Sequence, residues 1–400
     1  MTIAAPPAPA HARPRSIIDH LYDPRSRGII FQILLLVGLV WFGYEIINNA
    51  ITNLKKQSIA SGFDFLGYTS GFDISQTLID YTNTSTYGRA FWVGLLNTLL
   101  VAGLGIVLAT IIGFLVGIAR LSNNWIISKL AMVYVEVLRN IPPLLMLFAV
   151  YFAALKTLPA PKDSITLPFS SFLNVRGLSV PKPIWGDGIS FVVIAFLVAV
   201  VGAVLLARWA RQRQEATGER FPAVLAGLGL VAGLPLLAFA AAGFPVSFEM
   251  PVAGRFNIAG GLTLLPEFVA LLVGLTLYTA AFIAEIVRSG IMGVSKGQKE
   301  AAAALGLTPG QSMRLVVIPQ ALRIIIPPLT NQYLNLTKNS SLAVAIGYPD
   351  LVSVFAGTVL NQTNQAIEVI LITMGVYLTV SLLTSFFMNW FNARMALVER

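Results

Sequence analysis

Two groups of polar and charged residues sit inside otherwise apolar stretches, and through them this chain can act on another molecule. One is Glu136, Arg139 and Asn140, followed by Pro142 and Pro143. The other is Lys338-Asn339-Ser340-Ser341, preceded by Asn331, Gln332 and Asn335 and followed by Gly347-Tyr348-Pro349-Asp350. A charge in hydrocarbon costs about 3 kcal/mol or more, so each must face a bundle interior, a cavity or a partner. Broken helices at that depth free backbone groups that bind a polar solute. The chemistry on offer is non-covalent. A structural use competes with it. Glu136 and Arg139 stand at i and i+3, where they can neutralise each other on one helix face, and both can snorkel towards the membrane surface. Lys338 and its neighbours can serve helix packing instead. Glu285 reads as an interface charge beside Arg288.

The elements that hold these residues are membrane spans. Of 400 residues, 56% are hydrophobic and 11% charged, against about 25% charged in a soluble domain. With a mean hydropathy of +0.77, the chain is expected to be an all-α integral membrane protein, a polytopic helical bundle. Eight stretches are long enough to cross a core of about 30 Å: 29–48, 91–119, 130–157, 189–208, 222–243, 266–287, 324–346 and 365–391. The seventh is interrupted by Pro327, Pro328 and Lys338. Residues 1–28 read as a disordered tail rich in Pro, Ala and Arg. They lack the short apolar core and cleavage site of a signal peptide.

Cysteine is absent, and the two histidines, His11 and His20, lie in that tail. This excludes disulfides, thiolate metal sites and a membrane-embedded imidazole. The net charge of +9 is mainly topological. With the N-terminus inside, 17 of the 27 Lys and Arg fall in inner segments and 8 in outer ones. The positive-inside rule then puts both termini in the cytoplasm, and nucleic acid is not needed to explain the charge. Gly113-x-x-x-Gly117 and Gly229-x-x-x-Gly233 let helix backbones approach closely, as generic packing or as a subunit contact.

Between the sixth and seventh stretches lies a polar loop, 288–323, cytoplasmic on this topology. Ser295-x-x-Gln298 reads as a capping box for a helix over Glu300–Leu305. Gly306 supplies a left-handed stop. Thr308 caps a second short helix, with Pro309 in its first turn and Gln311 completing a second box. Pro319 is expected to break that helix before the next span. Ala301 to Ala304 give the first helix a smooth face suited to docking on another protein.

Glu300-Ala301-Ala302-x-x-x-Gly306, followed after nine residues by Val316-Val317-Ile318-Pro319, resembles the EAA loop of ABC importer permeases. Lys338 to Gly347 and Tyr134-Val135-Glu136-Val137-Leu138-Arg139-Asn140-Ile141-Pro142-Pro143-Leu144-Leu145 are similar to the polar amino-acid class of that family. The resemblance covers 91–157 and 266–392. The extra first span and long insertions resemble the eight-span permease of alphaproteobacterial general L-amino-acid importers.

The resemblance implies a five-helix type I importer core. It divides the chain into tail 1–28, a first span with outer loop 29–90, core 91–157, insertion 158–265 and core 266–400. It makes 295–319 a coupling loop that docks on a cytoplasmic ABC ATPase dimer, through Glu300, Ala301, Ala302, Gly306, Leu307 and Pro319. The chain has no Gly-Lys dipeptide, hence no P-loop. It would bind no cofactor, and ATP and Mg would be used by the partner ATPase. A second, homologous permease subunit, a periplasmic amino-acid-binding protein and the inner-membrane bilayer complete the implied partners. Substrates would be zwitterions, with Arg139 or Lys338 for the carboxylate and Glu136 for the ammonium. Asn140, Asn335, Asn339, Ser340 and Ser341 are the further pathway candidates. A secondary, ion-coupled amino-acid transporter working without an ATPase is the alternative. The loop and the lack of an evident inverted repeat argue against it.

Overall fold

The computed structural model describes residues 24–56, 62–219, 221–254 and 257–395. The expected tail, with His11 and His20, lies almost wholly outside the described residues. Helix α1 spans Pro24–Lys56 and starts inside the segment read as tail. Long apolar helices follow: α2 Tyr87–Ala119, α3 Trp125–Arg139, α4 Pro143–Thr157, α5 Ile189–Thr217, α6 Ala223–Ala241 and α7 Pro266–Met292. After α7 come α8 Lys296–Ala304, the short α9 Pro309–Ser312, α10 Ile318–Asn339 and α11 Ala366–Met395. Among the described residues seven helices are long and apolar enough to cross a membrane, with an eighth span if α3 and α4 together make one.

That pair covers the expected third stretch, 130–157, as two helices rather than one straight one. α3 and α4 meet at 109°. Asn140 ends α3, with its Nδ2 donating to Glu136 O at 2.7 Å. Pro142 then precedes Pro143, which opens α4. Proline disfavours helical backbone in the residue before it, so the chain turns where Asn140 has already terminated the ladder.

α7 is the most buried span, and α2 packs along it. Small residues set the distance. A Cβ on Gly113 would stand 2.6 Å from Ile283 Cβ, and one on Gly117 2.7 Å from the Ala284 carbonyl. The Gly113/Gly117 pair thus serves contact within the chain. Gly229 and Gly233 meet nothing within 4 Å. α10 closes the same core, where Val287, Val294, Val317, Ala321 and Ile325 are buried together. It runs unbroken through Pro327 and Pro328.

Residues 158–188 and 244–265 form a strand layer at one end of the bundle. β1 Ile165–Leu167, β2 Ser171–Asn174, β3 Gly177–Val180 and β8 Leu262–Leu264 make one antiparallel sheet in that order. β4 Lys182–Trp185 pairs with β5 Val246–Glu249, and β6 Val252–Ala253 with β7 Ile258–Ala259. β4 leads into α5 and β5 follows α6, so the α5–α6 hairpin hangs from one strand pair. The opposite end carries α8 and α9. The strand layer marks the strand end of the bundle, and α8 and α9 mark its loop end.

Candidate functional site

The loop between α7 and α10 is built from its backbone upward. α8 ends in a Schellman motif: Gly306 N donates to Ala303 O at 2.9 Å and Leu307 N to Ala302 O at 3.1 Å. This requires the left-handed φ of +76° at Gly306. Thr308 and Gln311 form the expected reciprocal box on α9. Ser295 corrects its expectation. It precedes α8, but its side chain caps nothing. The Gln298 side chain instead accepts from Gln320 Nε2 at 3.1 Å, tying α8 to the start of α10. α8 also begins at Lys296, earlier than read.

Pro319 does not break the chain. A wide helical turn over Met313–Val317 runs directly into α10, with Ile318 N bonded to Met313 O. Pro319, half-buried, then falls in the first turn of α10, where a missing N–H costs little. Of the alanines, Ala302 is buried at 2% exposure and faces inward. Glu300, Ala301, Ala303, Ala304 and Leu305 are exposed. The loop is anchored from below, since Val294 and Val317 belong to the α2–α7–α10 core. A Cβ on Gly290 would lie 2.3 Å from Ile325 Cγ1, so α7 and α10 touch just beneath it.

Glu136 and Arg139 do not pair with each other. Glu136 Oε1 lies 3.6 Å from Arg120, and Arg139 lies 3.9 Å from Glu285 Oε2. Glu285 also accepts from Arg120 and, at 2.6 Å, from Arg288. Arg139 sits over the Phe282 ring, 5.6 Å from its centroid. The i, i+3 spacing is correct, but α2 and α7 bring nearer charges. This five-residue network joins the loop end of α2, the last turn of α3 and α7. It neutralises Glu136 and Arg139 away from the second polar group.

Lys338 stands about half a turn beyond Leu336, which packs on Gly105 midway along α2. It lines a cleft of about 470 Å³ between the end of α10 and α11, together with Ser341, Thr373, Tyr377 and Ser381. Among the described residues nothing pairs with the ammonium. Ser341 Oγ donates to Lys338 O at 2.7 Å. Ser340 is fully buried and donates to Thr337 O, so it closes the helix end rather than facing the cleft. Asn335 is exposed and Asn339 half-buried, and neither lines it. Thr373, Tyr377 and Ser381 were missed in the sequence. Their spacing of four in an apolar helix was the available signal. Ser381 Oγ is buried without a partner.

Beyond the cleft, residues 340–346 form a tight helical turn that ends at Gly347, φ +79°. The following segment is knotted to α2. Asn97 Nδ2 donates to Pro349 O and to Gln76 O, both at 2.9 Å, and Leu351 N donates to Thr98 Oγ1 at 3.0 Å. Asp350 is buried and accepts from Ser353 N at 2.8 Å. Burial pushes its carboxyl up to about 7. Among the described residues no group of His, Cys, Asp and Glu is placed to hold a metal ion.

Residues 103–397 match the family described as binding-protein-dependent transport system inner membrane component. The general L-amino acid transport system permease protein AapQ of Rhizobium johnstonii is 58% identical over 98% of both chains. The putative amino-acid ABC transporter permease protein YhdX of Escherichia coli is 51% identical, over 94% of this chain and 96% of its own. The glutamate/glutamine/aspartate/asparagine transport system permease protein BztB of Rhodobacter capsulatus is 41% identical over the full length of both. A crystal structure of an amino acid ABC transporter with histidines superposes with a TM-score of 0.46 at 21% identity, over 77% of this chain and 95% of that one.

Proposed function

Since the chain belongs to the family of binding-protein-dependent transport system inner membrane components, multi-pass proteins that work with an ATPase and a binding protein, we propose that it is a permease subunit importing L-amino acids. Its transport is driven by ATP that a separate ABC ATPase dimer hydrolyses with Mg. The carrying observation is the 295–319 loop. Its exposed face of Glu300, Ala301, Ala303, Ala304 and Leu305 is unpartnered, while its underside is continuous with the α2–α7–α10 core. A docked ATPase can therefore move the spans by moving the loop. Lys338 and Ser341 line the pathway, with Thr373, Tyr377 and Ser381 opposite. Its open side faces a second, homologous permease subunit. A periplasmic binding protein delivers the amino acid at the strand end.

The reading requires both termini and the loop end to be cytoplasmic. A reporter active only in the periplasm, inserted after Gly218 between α5 and α6, is expected to stay silent. Activity there would reverse the orientation.

Purification in mild detergent tests the assembly. The chain is expected to bring down an ABC ATPase and a second permease subunit in a defined ratio. Vesicles that take up amino acids with this chain alone, driven by an ion gradient, would overturn the proposal.

A further inference from the structure

At the strand end one cavity of about 570 Å³ is walled by Ser75 of the 62–86 segment, Leu155 of α4, the β2–β3 turn at Arg176, Asn257 beside β7, the start of α7 at Glu267 and the helix break at Gly347. Its two charged linings among the described residues, Arg176 and Glu267, are opposite in sign. Among the described residues no carboxylate lies at ion-pair distance from Arg176, and no cation at that distance from Glu267. Glu267 Oε1 accepts the Tyr151 hydroxyl at 2.9 Å. Its other oxygen has no donor among the described residues.

The turn that presents Arg176 is held in place. Asn174, 2% exposed, accepts Arg176 N–H on Oδ1 at 2.8 Å and donates to Ser164 Oγ at 2.9 Å. Gly177 follows at φ +119°, and a Cβ there would meet Leu264 O at 2.1 Å. The turn is thereby pressed onto β8 just before α7. The backbone that carries Arg176 is thus fixed, the Arg176 side chain itself is exposed, and it does not reach ion-pair distance of Glu267 on the same wall system. A molecule with a carboxylate beside an ammonium satisfies both at once, and such charge-assisted bonds are the strong ones. The volume is within the range of small-molecule sites.

We propose that this cavity is a vestibule site for the α-carboxylate and α-ammonium of a free amino acid, with Arg176 taking the first and Glu267 the second. The proposal rests on the importer reading. It adds a site above the Lys338 cleft, to which the 340–346 turn connects it through Gly347. The site reads the groups that all α-amino acids share, and so it admits many side chains.

The test uses the assembled complex in detergent, without binding protein and with Lys338→Met to silence the lower cleft. Equilibrium dialysis is run with labelled L-glutamine, L-glutamate, L-histidine and L-alanine. At least one of these is expected to bind saturably. Arg176→Gln and Glu267→Gln are each expected to weaken that binding at least tenfold, for every amino acid bound. Arg176→Lys, which keeps the cation, is expected to retain most of it and serves as the folding control. L-Glutaminamide, lacking the α-carboxylate, is expected not to compete. Absence of saturable binding, or unchanged binding in both neutral variants, overturns the vestibule. So does a pair of neutral variants that bind amino acid normally and, in a parallel measurement with binding protein added, lose only its association, which would make the two charges a protein-docking face. A wild-type complex that transports no amino acid in proteoliposomes instead refutes the importer reading itself.

Discussion

A complex carrying Gly306→Val is expected to assemble in the membrane and hydrolyse ATP while importing at least tenfold less amino acid per ATP. Gly306 has open space around it, with nothing within 4 Å of a built Cβ. The effect therefore comes from the backbone. Left-handed φ costs an ordinary L-residue about 1–2 kcal/mol, and a β-branched one is less tolerant still. The valine chain would escape by unwinding the end of α8. The two bonds that Gly306 and Leu307 give to Ala303 and Ala302 would then be lost. Ala302 is the alanine that packs inward, so the exposed face would lose its buried anchor. Folding of the spans should survive, because the turn lies beyond the apolar core. Gly306→Asn, which tolerates the left-handed region better, is expected to fall between. Uptake and ATP hydrolysis measured in the same proteoliposomes decide the matter. A valine variant that transports at the wild-type rate removes the loop from the coupling path.

Lys338→Met is expected to lower uptake per assembled complex about tenfold or more, with assembly intact. Methionine keeps the apolar stem and removes the ammonium. The ammonium lines an open cleft with Ser341 and has no partner among the described residues. An unpaired charge at that depth is costly unless water or a solute reaches it. If the group served only packing, its removal would relieve that cost, and the variant would be as active as the parent and more stable. Lys338→Arg is expected to restore part of the activity. Proteoliposomes supplied with ATP and binding protein give the readout. Normal uptake of every amino acid tested would take Lys338 out of the pathway.

The spans were legible because twenty apolar residues in a row have few other fates. The Gly306 stop and the Thr308/Gln311 box were legible because each is a local motif that needs nothing from elsewhere. Expectations failed where a distant residue intervened. Gln298 turned to Gln320, and Glu136 and Arg139 turned to Arg120 and Glu285. Sequence spacing reports only neighbours on the same helix. Pro319 was misread because the wide turn ahead of it moved the proline into a first turn. The strand layer was invisible, since strands of two to four residues carry no period. In the Lys338 cleft, the sequence supplied one wall. The other was present as Thr373, Tyr377 and Ser381, four apart.

The hairpin of α5 and α6 leaves the strand layer at Trp185 and returns at Val246, and these two residues are direct partners in the β4–β5 ladder. Opposed residues in such a ladder have Cα atoms about 5 Å apart. Sixty residues are thus added between two points that a tight turn could join. Each helix packs chiefly on the other, with Gly202 against Leu230 and Gly227 against Ala203. The strand pair therefore works as a splice point. Everything beyond it can be lengthened, exchanged or removed without changing the register of β1–β3 with β8 or the seating of α7.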